Sequence, residues 1–161
     1  MVNLKKKILY RFLLISCILV LCAALIIQYV FGYQPCNLCL IERIPYILAI
    51  IILLLNYKFH RHQVFWNILL LLIFSFSFLV SVYHLGIEQD LIEESSLCST
   101  KNVDLITKED VLKSLENLNI SCKDVAFKIF GLSLTTYNIF ISVLMFLLSA
   151  KIYFINNDIK K

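Results

Sequence analysis

A chain of 161 residues that is 60% apolar or aromatic and only 16% charged lacks the polar surface with which a soluble domain covers itself. Its apolar residues come in long blocks, which a soluble core does not need and a membrane solvent does. The net charge of +4 is carried on no basic stripe along a polar face, so nucleic acid is excluded as a partner.

The first block runs from Ile8 to Phe31 and is interrupted by Arg11 and Gln28. A spanning helix needs about 20 residues to cross about 30 Å of hydrocarbon, and this block meets that length. Lys5, Lys6 and Lys7 precede it as they would a signal peptide. The run is too long for a signal core, and Cys22-Ala23-Ala24 makes a poor cleavage site, so the reading is an uncleaved first helix. The second block is too short if it begins at Ile44 and long enough only if it begins at Cys39, with Tyr57 as its end. A span there has to include the Cys-x-x-Cys segment at its mouth. Pro45 allows either a helix that starts beside it or a first turn bent there. The third block is Val64 to Tyr83, bracketed by Trp66 and Tyr83 as interfacial anchors, and the fourth is Leu132 to Ile155. The expected fold is an all-α membrane domain over 1–161: an antiparallel bundle of four transmembrane helices spanning 8–31, 39–57, 64–83 and 132–155.

Charge sets the orientation. Both termini and the 58–63 turn carry nine bases against the single acid Asp158, whereas the 32–43 and 84–131 loops carry six bases against ten acids. By the positive-inside rule the termini are cytoplasmic and the two loops lie outside. Cys36, Cys39, Cys98 and Cys122 then share the outer side, where disulfides persist. Cys17 and Cys22 fall inside the first span, where thiols pack as small hydrophobes. Ser75, Ser77 and Ser81 read as small residues between packed helices.

Cys36-Asn37-Leu38-Cys39 at a helix start brings two sulfurs within bonding reach, and the first turn favours a thiolate. No strand–helix alternation surrounds it, so no thioredoxin-like domain is its host. Four cysteines can also hold zinc. The second pair is 24 residues apart and lacks compact ligand spacing, so no metal site is expected. Cys98 and Cys122 enclose a hydrophilic stretch in which Thr107 caps a helix start and Val111, Leu112, Leu115 and Leu118 follow at helical spacing, the pattern of a short amphipathic surface helix. A disulfide there can simply staple the loop, but a second dithiol on the same side allows exchange between the pairs. Arg43, four residues after Cys39, is either a snorkelling cation or a fixed donor beside a thiolate.

Pro35-Cys36-Asn37-Leu38-Cys39-Leu40-Ile41-Glu42-Arg43 resembles the signature of the disulfide bond formation protein B family, DsbB. Tyr83-His84-Leu85-Gly86-Ile87-Glu88 resembles the segment after the family's third span. Phe130-Gly131-Leu132-Ser133 and Asn138 resemble its entry to the fourth, with Thr135 where a proline is expected. The resemblance covers essentially the whole chain. It implies a protein-disulfide:quinone oxidoreductase of the bacterial inner membrane. Such an enzyme reoxidises a DsbA-like periplasmic thiol oxidoreductase and passes two electrons to ubiquinone or menaquinone. On that resemblance Cys98, paired with Cys122, is the sulfur attacked by the partner. The loop thiols exchange with Cys36–Cys39, Cys39 is the thiolate against the quinone, and Arg43 holds the quinone with help from His84 and Glu88. The alternatives are a vitamin K epoxide reductase-like thiol–quinone enzyme and a non-catalytic tetraspan scaffold braced by disulfides.

Overall fold

The computed structural model describes residues 2–58, 63–93, 98, 121–123, 128–129 and 131–158. In chain order they form α1 (Val2–Tyr29), α2 (Asn37–Ile41), α3 (Ile44–Lys58), α4 (Gln63–Glu88), β1 (Lys128–Ile129), β2 (Leu132–Ser133) and α5 (Leu134–Asp158). Among the described residues, four segments are long and apolar enough to cross a membrane: Lys6–Tyr29, Asn37–Lys58, Gln63–Glu88 and Leu134–Ile155. The proposed amphipathic helix around Thr107–Leu118 lies outside the described residues.

The polar contacts between helices fix their directions. The start of α1 meets the start of α4 through a hydrogen bond from the Lys6 ammonium to Gln63. The end of α1 meets the start of α3 through Arg43 and Gln28. The end of α4 meets the start of α5, where Thr135 reaches both His84 and Glu88. This is an antiparallel four-helix bundle. Its most extensive interface joins α4 and α5, with α3 packed on both α1 and α4.

Each helix turns one stripe inward. Leu13 and Cys17 of α1, Ala49, Ile52 and Leu53 of α3, Leu70 and Phe74 of α4, and Met145 and Ile152 of α5 are buried together. Their spacing of three, four or seven residues puts each set on one helix face. Equally large side chains, such as Leu19, Ile51, Phe76 and Leu147, face outward, as a lipid solvent permits. Lipid offers no hydrophobic drive for helices to associate, so close packing and interhelical hydrogen bonds hold the bundle. The Tyr46 hydroxyl donates to Asn138 Oδ1 at 2.5 Å, Asn138 Nδ2 donates to Ser81 Oγ at 2.8 Å, and the Ser77 and Ser142 hydroxyls pair at 2.9 Å. Ser77 and Ser81 are thus polar contacts at the interface as well as small residues, while Ser75 bonds back to the Leu71 carbonyl. Cys17 packs in the core as expected, but Cys22 is exposed on the lipid face.

The ends of the elements differ from the sequence expectation where local chemistry outweighs hydropathy. The third span, expected to stop at Tyr83, continues as helix to Glu88, which moves His84 and Glu88 out of the loop and into the bundle. It ends where Asp90 adopts φ 57°, and the Leu91 and Asp90 amides return to the Gly86 and Ile87 carbonyls at 2.9 and 3.1 Å. That closure satisfies the last carbonyls of the helix. Ile92 folds back over Gly86, where an added Cβ would meet Ile92 Cδ1 at 2.6 Å. At the second span, both options left open by Pro45 occur together. The short α2 carries the cysteines, a turn follows at Glu42 and Arg43, and α3 starts with Pro45 in its first turn, where a missing N–H costs nothing.

The fourth helix starts at Leu134 and not Leu132, because Ser133 caps it: its Oγ accepts from the Thr136 amide at 3.3 Å. Just before it, β1 and β2 pair antiparallel, Lys128 with Ser133 and Ile129 with Leu132, and Gly131 takes φ 81°. Strands of two residues are too short to leave an alternating pattern in the sequence.

Candidate functional site

Cys36 is the N-cap of α2, with extended backbone, and its sulfur accepts from the Cys39 amide at 3.3 Å. This turn brings the two sulfurs to 2.8 Å, hydrogen-bonded to one another. His84 on α4 directs Nε2 to the Cys36 sulfur at 3.6 Å. The bond with Cys39, followed by that with His84, outweighs burial and lowers the Cys36 thiol from an ordinary 9.0 to about 4. In the reduced pair Cys36 is therefore the sulfur that ionises first.

His84 is 1% exposed and bonded on both ring nitrogens. Its Nδ1 stands 3.1 Å from Glu42 Oε1 and 3.3 Å from the Thr135 hydroxyl. Its Nε2, besides facing Cys36, lies 3.9 Å from Glu88 Oε1, one helical turn on. Thr135 donates to that same Glu88 oxygen at 2.6 Å, while Glu88 Oε2 is buried with no hydrogen-bond partner among the described residues. Two carboxylates and a hydroxyl, from the turn after α2, from α4 and from α5, thus fix one imidazole against one sulfur.

Cys98 and Cys122 form a disulfide with Cα atoms 5.4 Å apart. Both are buried and cluster with Cys36, Leu38 and Ile87, and Cys39, Ile41 and Tyr83 pack around them. Tyr83, expected as an interfacial anchor, therefore belongs to the sulfur cluster. An exposed ion pair between Lys123 and Asp90, at 2.6 Å, ties the residue after Cys122 to the end of α4.

A cavity of about 380 Å³ opens beside this cluster. Val20, Ile27, Leu134 and Ile141 supply apolar wall, and Cys36, Cys39, Arg43, His84, Glu88 and Cys122 supply the polar lining. Arg43 is steered by Gln28 of α1, which accepts from its Nη1 at 2.6 Å. Of the seven residues picked from the sequence, six line one cavity, and Cys98 is bonded to the sixth. Sequence reasoning missed Gln28, Glu42 and Thr135. Glu42 is visible in the sequence as an outer-loop acid inside the Cys-x-x-Cys signature, yet it is buried against His84. Gln28 left a trace as the amide that interrupts the first apolar block.

A bundle of four lipid-facing helices with a hydrogen-bonded dithiol, a buried disulfide and an apolar cavity at one end defines a membrane thiol–disulfide protein. The chain belongs to the DsbB family: the model described as disulfide bond formation protein DsbB matches residues 6–152. It is also similar to an uncharacterized protein, RP370, of Rickettsia prowazekii (strain Madrid E), with 30% identity over 151 residues, covering 92% of this chain and 88% of the relative. No solved structure matches. Family membership supports a disulfide-forming membrane oxidoreductase.

Proposed function

We propose that the protein oxidises a DsbA-like dithiol protein and delivers the two electrons to a membrane quinone, ubiquinone or menaquinone, in the cavity lined by Cys39 and Arg43. The observation that carries this reading is the gathering of Cys36, Cys39, Arg43, His84, Glu88 and Cys122 around one apolar space. A flat apolar ring with two acceptor oxygens fits it. The walls are greasy, a guanidinium lies in the lining, and the volume is within the roughly 300–1,000 Å³ usual for small-molecule sites. When bound, the quinone supplies the electron sink, taking two electrons and two protons.

The chain's own residues do the rest. A partner thiolate attacks Cys98, the Cys98–Cys122 disulfide opens, and the second partner thiol closes the partner's disulfide, leaving both loop thiols reduced. A loop thiolate then attacks the Cys36–Cys39 disulfide at Cys36, which is buried in one cluster with the loop pair, and releases Cys39 as the charged sulfur. The second loop thiol resolves that mixed disulfide, so the loop pair is oxidised again and Cys36 and Cys39 hold the two electrons. Arg43 offers a fixed positive charge and spare N–H donors to the acceptor side of the cavity. His84, held by Glu42, keeps Cys36 ionised as a leaving group, which speeds exchange. Cys98 is 1% exposed, so its sulfur has to be uncovered before a partner can reach it. The reading places the protein in a bacterial inner membrane with both termini cytoplasmic and the cysteines periplasmic.

The test is anaerobic mixing of the purified protein with a reduced thioredoxin-like partner and quinone, following quinol absorbance. Wild type reduces quinone in step with partner oxidation. Cys39→Ser abolishes it, whereas a scaffold merely braced by disulfides would never have turned over.

A further inference from the structure

We propose that, when reduced, Cys36, Cys39 and His84 together form a binding site for a thiophilic divalent cation of the zinc or cadmium class. The inference goes beyond the thiol–quinone reading and does not need it. It requires only that the two thiols be free, as they are in this structure.

The three donor atoms lie within 4.8 Å of one another. A tetrahedral zinc with bonds of about 2.3 Å to sulfur and about 2.05 Å to nitrogen sets its sulfurs about 3.8 Å apart and sulfur from nitrogen about 3.6 Å apart. Cys36 and His84 already stand at 3.6 Å. Cys39, now 2.8 Å from Cys36, has to withdraw by about 1 Å to reach tetrahedral spacing.

What surrounds the ligands matches what a metal-bound histidine needs. Such a histidine hands its second nitrogen to a carboxylate, which fixes the tautomer and ring orientation. Glu42 does this here, 3.1 Å from His84 Nδ1, which leaves Nε2 facing the sulfurs. A divalent ion would also offset the charge of two thiolates in a region where Glu42 and Glu88 are buried nearby. Three protein ligands leave a fourth position open for water or a further donor. Glu88, 3.9 Å from His84 Nε2 and with Oε2 lacking a partner among the described residues, stands beside it. The site differs from a zinc centre built of four cysteines, because Cys98 and Cys122 are spent on their own disulfide and the third ligand comes from α4.

Binding takes both sulfurs as thiolates and releases any thiol proton to solvent, with no change of oxidation state. The ion occupies the sulfur lone pairs, so Cys36 and Cys39 cannot close to a disulfide until it leaves. The disulfide form offers no thiolate. The cation therefore binds the reduced state alone and acts as a brake on reoxidation.

The test uses full-length protein in detergent, without quinone, reduced and freed of reductant under argon, then titrated with cadmium chloride. One equivalent should give the ultraviolet sulfur-to-cadmium charge-transfer band, and zinc chloride should displace it. The oxidised protein should give none. Cys98→Ser/Cys122→Ser should keep the band, and on that background adding Cys39→Ser should lose it and adding His84→Ala should weaken binding at least tenfold. Circular dichroism identifies any variant that has lost its helices, and the single-sulfur change Cys39→Ser then decides. A band that disappears in the loop double variant, or on that background survives Cys39→Ser or stays as tight in folded His84→Ala, overturns the proposal. Because no quinone is present, either reading can fail without the other.

Discussion

Glu42 Oε1 holds His84 by Nδ1 at 3.1 Å, across the gap between the turn after α2 and the last turns of α4. This contact joins the segment that carries the reactive cysteines to the helix that carries the histidine. With Nδ1 held, Nε2 has one direction left, toward the Cys36 sulfur at 3.6 Å. The carboxylate acts on the thiol through the ring between them.

Removing that carboxylate should therefore be felt twice. Glu42→Ala takes the charged partner from a buried imidazole and leaves Nδ1 the Thr135 hydroxyl at 3.3 Å, and breaking a buried pair from one side costs about 3–5 kcal/mol. Glu42→Gln keeps an acceptor and should cost less. Unfolding in detergent by titrated denaturant checks the order. Equal stabilities for wild type and Glu42→Ala would show that the contact holds nothing.

The Cys36 thiol, lowered to about 4, should react as a thiolate across the whole neutral range. Its modification by a small uncharged thiosulfonate, read by peptide mass spectrometry on reduced protein, should be level above about pH 5 and fall through pH 4. The sign for stability follows from a folded-state value below the unfolded one. The thiolate's contribution to the reduced fold is complete above about pH 9 and is lost as pH falls toward 4. His84→Ala should move the midpoint upward. A wild-type midpoint near 9 would contradict the geometry.

Arg43→Ala should raise the quinone KM roughly tenfold or more, since a hydrogen bond from a charged donor is worth about 1.5–3 kcal/mol. The free thiol count should not change. Gln28→Ala should move KM in the same direction by less, because Gln28 only steers the guanidinium through its 2.6 Å bond. Unchanged KM in Arg43→Ala at full turnover would remove that residue from the site.

Orientation has its own test. With the four site cysteines reduced in intact cells, an impermeant maleimide should label them from outside. A cysteine introduced as Lys58→Cys should label only after the membrane is opened. The reverse pattern would invert the bundle and detach the site from any periplasmic partner.

Much of this was legible in the chain itself. Long apolar blocks in 161 residues require lipid, and four of them make a tetraspan bundle. The Cys-x-x-Cys segment had to join the second span because the block from Ile44 alone is too short to cross. Charge counting placed Cys36, Cys39, Cys98 and Cys122 at one end, and the structure gathers them there. These are properties of composition and spacing, which hydropathy and local geometry express directly.

Other features depend on which helix faces meet, and spacing along one helix does not encode that. Glu42 reads as a loop charge and Glu88 as a site residue in a loop, yet both converge on one imidazole because α4 runs on to Glu88 and the turn at Glu42 points inward. Thr135 became a partner of His84 and Glu88 only when α5 docked on α4. Gln28 lies fifteen residues from Arg43 in sequence, and the antiparallel crossing of α1 and α3 brings them together. A polar side chain inside a membrane protein must find a partner, and the sequence states that requirement while the packing of the helices chooses the partner.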